Sequence, residues 1–132
     1  MRIISIIILT AALVLTVTAC GERNAVSGTI TFDGDAAIPA GAVLEVQLRD
    51  VSYQDAAAPL IASQTIEDPG SFPIDFSVPY DPDDIDSRAV YGLQARVTLG
   101  DRLLFINDTA FDVLTRGNPS RGVDMWVVAV GG

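Results

Sequence analysis

The fold class this sequence predicts is all-β: a small antiparallel β-sandwich of about seven strands, immunoglobulin-like or transthyretin-like in architecture. Three observations predict it. Apolar and polar residues alternate with period two in one segment after another. Clusters of Gly, Pro, Asp and Asn separate those segments at short intervals. No stretch of ordinary helix length follows them, and "SYQDAAAPLIA", which could hold a helical turn, is broken by Pro59.

In chain order, "VSGTITFDG" sets Val26, Gly28, Ile30 and Phe32 on one face and Ser27, Thr29 and Thr31 on the other. "AVLEVQLRDV" alternates Leu44, Val46 and Leu48 with Glu45, Gln47 and Arg49, the pattern of a half-buried strand. "LIASQTIE" alternates less sharply. "SFPIDFSVPY" turns Phe72, Ile74, Phe76 and Val78 inward and Pro73, Asp75 and Ser77 outward; Pro73 and Pro79 cannot donate to a ladder, so this strand belongs at an edge. "YGLQARVTLG" lines up Tyr91, Leu93, Ala95, Val97 and Leu99, and "TLGDRLLF" reads as a tight hairpin at Gly100 and Asp101. "RLLFINDTAF" and "VDMWVVAV" are apolar on both faces for part of their length, as central strands are.

The N-terminal end follows different rules. After Met1 and Arg2, "IISIIILTAALVLTV" carries no charge, the form of a secretory leader; the alternative, a membrane anchor, needs a run at the lower limit of spanning length. The chain's single cysteine comes directly after this run. Val17, Thr18 and Ala19 followed by Cys20 resemble the lipobox of bacterial lipoproteins. That resemblance implies cleavage before Cys20, a diacylglycerol on its sulfur and a fatty acyl chain such as palmitate on its new amino group. Several buried chains hold a protein firmly where one holds it marginally. Gly21, in place of Asp, points by the same resemblance to the outer membrane. The chain is thus divided into a leader at 1–19, a lipidated terminus and short linker at 20–25, and one domain at 26–131.

With 17 acidic residues against 8 basic ones, the formal net charge is −9, which opposes binding to nucleic acid or to an anionic lipid surface. There is no histidine and no second cysteine, so the usual general base near neutral pH and the soft metal sites are missing. No Gly-x-Ser-x-Gly elbow is present either. The reading is a non-enzyme without a cofactor. Asp81, Asp83, Asp84 and Asp86 in "YDPDDID" could offer hard oxygen ligands to calcium, but the segment lacks the glycine and closing glutamate of an EF-hand, and Asp and Pro equally build solvated turns. "NDT" at 107–109 matches a glycosylation pattern that a bacterial lipoprotein would rarely use.

Across residues 26 to 130 the order of motifs resembles the YbaY and YscW family of outer-membrane lipoproteins. The residues that carry it are Pro39, Gly41 and Ala42; Leu44, Val46, Leu48, Asp50 and Val51; Pro73, Phe76 and Pro79; then Tyr91, Ala95, Arg96, Leu103, Phe105 and Thr109. The resemblance implies a pilotin-like role: binding a secretin subunit and escorting it to the outer membrane. The alternative is a structural or small-ligand-binding envelope lipoprotein with no secretin client. A partner would enter at a strand edge or in an apolar groove. The edges expected are "SFPIDFSVPY" and "LIASQTI". Trp126 is a candidate anchor, although Met125, Val127 and Val128 beside it favour a place in the core.

Overall fold

The structure, a computed structural model, describes residues 24–131. The leader, the lipobox residues Val17, Thr18 and Ala19, and Cys20 lie outside the described residues. Within them the chain forms β1 (Ala25–Phe32), β2 (Val43–Asp50), β3 (Leu60–Glu67), β4 (Ile74–Pro79), β5 (Tyr91–Leu99), β6 (Arg102–Ile106), β7 (Asp112–Val113) and β8 (Val123–Ala129). A single 3-10 turn, Pro82–Asp84, is the only helical piece among the described residues.

The all-β expectation holds, but two features of the sandwich give way. The strands follow one continuous order, β3-β2-β5-β6-β8-β1-β4, with β7 paired to β5. The sheet curls until its two edges, β3 and β4, lie side by side, a nearly closed barrel in place of two separate sheets. The joint is β8. Its residues Val123 to Val127 pair with Gly28 to Phe32 of β1, and its last residues pair with Phe105 and Ile106 of β6. The β1–β8 pairing is parallel, a departure from the antiparallel expectation. Hairpins force neighbours in sequence to be antiparallel, whereas β1 and β8 are joined through the whole domain and are under no such constraint.

The inward residues are those the alternation selects. Val26, Ile30, Leu44, Val46, Leu48, Val78, Ala95 and Val97 are fully buried, joined by Ile74, Phe76, Tyr91 and Leu93. Phe32, Phe72 and Phe105 stack at one end of the barrel with ring centroids 5.0 to 5.7 Å apart. Leu99 breaks the rule: it stands beside the Gly100 turn, where the sheet has run past the core, and is 37% exposed.

Both expected edges are edges. Across the seam Gln64 of β3 accepts the Ser77 N–H of β4 through its side-chain oxygen at 2.7 Å. Since Ser77 presents its backbone outward, so do residues 73, 75 and 79 by alternation, and two of these are prolines. Little of the β4 edge is left to pair with a stray strand.

The opposite end of the barrel from the phenylalanine stack gathers the start of β1, the β2–β3 loop, the β4–β5 loop and the β7–β8 loop. The register shows it: Ala25 lies opposite Pro79, Asp50 opposite Tyr91, and the Ser27 N–H donates to the Ser120 carbonyl at 3.0 Å. Tyr91, 1% exposed, pins the acidic loop here, its hydroxyl accepting the Asp86 N–H at 2.8 Å. Tyr91→Phe is expected to lower unfolding free energy by about 1 kcal/mol in urea denaturation; an unchanged midpoint would show that the bond contributes nothing.

Candidate binding cleft

The acidic loop does not assemble as a ligand set. The Asp81 side chain caps the 3-10 turn by accepting the Asp83 N–H at 2.9 Å. Asp86 accepts the Arg88 N–H at 2.9 Å and forms an ion pair with its guanidinium at 3.2 Å. The Arg88 hydrogen bonds hold the Asp86 carboxyl below the usual carboxylate range. Among the described residues no three acidic side chains converge in a metal-binding group, and the carboxylates of Asp81 and Asp86 serve the turns themselves.

The more promising feature is an apolar cleft of about 280 Å³ on the outer face of β5. It exists because β6 is short. After Ile106 the chain leaves β5, bulges through residues 107–111 and returns as β7 opposite Tyr91 and Gly92. Asn107 spans the interruption. Its Oδ1 accepts the Ala95 N–H at 2.8 Å, and its amide donates to the carbonyls of Thr109 at 3.0 Å and Leu93 at 3.4 Å. A side chain thus takes the place of the missing strand.

Gly92 forms the floor. A Cβ there would meet Val51 Cγ1 at 3.4 Å, so any larger residue would project into the opening. Val51, Ala110 and Phe111 supply the apolar walls, and Arg49, Gln94, Asn107 and Asp112 the polar rim. Just beyond, Trp126 meets the Phe111 ring edge-on, centroids 4.7 Å apart at 85°. Trp126 is 47% exposed and Val51 42%, which overturns the core placement expected for the tryptophan. Met125 and Val127 do point inward, fully buried and 3% exposed; one position out of phase, Trp126 must face outward.

Asn107 and Gly92 were not singled out from the sequence as site residues. The one available signal was "RLLFIND", where a continuous apolar run stops abruptly at an Asn able to mimic a backbone pair. A second apolar groove, about 480 Å³, lies at the other end beside Leu99, Leu104 and Val130, with Arg102 as its one charged side chain. The β5 cleft is the better candidate because several polar groups line it and the Phe111–Trp126 ring pair stands at its margin.

Fold and cleft define a class: a small, nearly closed β-barrel whose interior is filled by its own side chains and which carries an apolar cleft on its outside. The family model described as type III secretion system lipoprotein chaperone (YscW) matches residues 22–125, and the chain belongs to that family, as its strand and turn residues led us to expect. It is 36% identical over 97 residues to the uncharacterized lipoprotein YbaY of Escherichia coli K12; the match covers 73% of this chain but spans only about half, 51%, of YbaY. Among solved structures, an alternative pilotin from the type II secretion system of Vibrio cholerae matches with a TM-score of 0.77 at 32% identity, covering 83% of this chain and 98% of the pilotin.

Proposed function

We propose that this protein is a lipid-anchored lipoprotein of the bacterial envelope, held by Cys20 to the periplasmic face of the outer membrane, that binds an envelope protein such as a secretin subunit in the manner of a pilotin. It works by binding and not by turnover. The observation that carries the reading is the outer cleft with half-exposed Trp126 beside it, on a barrel similar to that of a pilotin. Exposed aromatic residues next to a dry pocket are where binding energy concentrates at interfaces. Four residues, 21–24, separate Cys20 from β1, and even fully extended this linker leaves the β1 end within roughly 20 Å of the lipid attachment point. Val51, Gly92 and Asp112 bring the cleft lining to that same end of the barrel, so an anchor at Cys20 would hold the cleft near the membrane.

Affinity capture from cells of the source bacterium tests the reading. The full-length lipoprotein should retain a secretin subunit, and Cys20→Ala should retain less or leave it mislocalised. No specific envelope protein with the wild type would refute the pilotin role. Two cleft variants sharpen the test. Trp126→Ala should stay folded, with a thermal midpoint lowered only by the lost edge-on contact with Phe111, and weaken capture roughly tenfold. Gly92→Leu should weaken capture by filling the floor and displacing Val51, and its melt shows how much of the loss is stability. Folded variants with full capture would place the partner elsewhere.

A further inference from the structure

We infer that the cleft selects an apolar polypeptide segment that carries a carboxylate, and that Arg49 is the group that receives it. The inference rests on the cleft being the partner site. It begins with Gln47, which the alternation puts on the outer face of β2 yet which is only 7% exposed. On that face Glu45, Gln47 and Arg49 form a ladder of successive outward positions. The Gln47 amide donates to Glu45 Oε1, and its oxygen accepts the Arg49 Nε–H at 2.8 Å. A second guanidinium nitrogen, NH1, donates to the Ala58 carbonyl at 2.7 Å. The side chain is therefore held at two points, and it lines the cleft.

Both acceptors that hold Arg49 are neutral. Among the described residues the one ion pair is Arg88–Asp86, so no carboxylate lies within pairing distance of the Arg49 guanidinium, although Asp112 shares the cleft rim. A partly buried guanidinium without a counter-charge, in a chain of net charge −9, is a local positive site. Of its five N–H donors, Gln47 and Ala58 take one each on Nε and NH1, and the three left over on NH2 and NH1 are free to donate to a carboxylate. The apolar walls beside it ask for aliphatic or aromatic side chains. Together these specify the occupant: an apolar stretch of a partner chain bearing Asp, Glu or a chain-end carboxylate.

The test uses the full-length lipoprotein with a photo-crosslinking residue in place of Val51, expressed in the source bacterium. Adducts are digested and the crosslinked peptide is mapped by mass spectrometry. The expected result is a peptide with a carboxylate within a few residues of the crosslink, with adduct yield reduced roughly tenfold or more by Arg49→Gln and partly restored by Arg49→Lys, which keeps the charge but loses the fork. Thermal melts of both variants separate this from a loosened β2–β3 loop: two variants that melt alike but capture differently support charge recognition. Wild-type yield from a folded Arg49→Gln, a mapped peptide without a carboxylate, or adducts with lipid alone would overturn the inference while leaving a protein partner seen by affinity capture in place. No adduct and no captured protein with Arg49 intact would remove the pilotin reading itself.

Discussion

Gly28→Ala is expected to unfold the domain or to lower its stability by at least about 3 kcal/mol, since it is the tightest position among the described glycines. The position looks innocuous, a small residue in a strand with an ordinary backbone angle. Its neighbour is the reason. A Cβ on Gly28 would sit 1.9 Å from the Val123 carbonyl oxygen and within 2.8 Å of the Val123 carbonyl carbon and nitrogen. These are backbone atoms, which cannot turn aside as a flexible side chain could. Gly28 and Val123 are also the first pair in the parallel β1–β8 ladder, the joint by which β1 and β4 are tied to the rest of the sheet. Forcing the strands apart there would open the barrel at its junction. Far-UV circular dichroism through a urea titration measures it. A midpoint equal to wild type would mean that the two backbones do not approach as described.

Asn107→Ala is expected to cost about 2 to 3 kcal/mol. The substitution strips three hydrogen bonds from the interruption in the sheet and leaves the Ala95 N–H, on a fully buried residue, without its acceptor. Asn107→Asp keeps an acceptor for Ala95 but loses the donor to Leu93 and Thr109 and sets a carboxylate against their carbonyls, so it should rescue little. Hydrogen exchange gives the more specific readout: the Ala95 amide should lose protection in both variants, and more so in the alanine variant. Retained protection would show that a different group closes the gap. Because the same segment carries Phe111, the variants should also weaken partner capture more than their stability loss alone explains.

Much of the barrel was legible because strand alternation is a local property. Leu44, Val46 and Leu48 declare their face through their own neighbours, and Pro73 and Pro79 announce an edge by lacking a donor. What could not be read is what depends on pairings between distant segments. The parallel seat of β8 against β1, the closure of β3 onto β4 through Gln64, and the reason for Gly28 all belong to contacts between separate segments that no local window contains. The cleft falls between these cases. Val51, Gly92 and Phe111 come from three segments and meet only because β6 stops early. Trp126 was misplaced for a different reason. Apolar residues on both sides masked the alternation, since the outer face of β8 is partly covered by Phe111 and reads as core even though the tryptophan is half exposed.

The measurement that bears most directly on the central claim is a comparison of two photo-crosslinking positions in the full-length lipoprotein in living cells: Ala110 at the cleft, and Asp101 at the hairpin on the far end of the barrel. We predict that Ala110 yields one dominant adduct with an envelope protein, a secretin subunit where the bacterium makes one, and that Asp101 does not. Equal adducts from both positions, or a partner captured from Asp101 alone, would contradict the assignment of the β5 cleft as the binding surface.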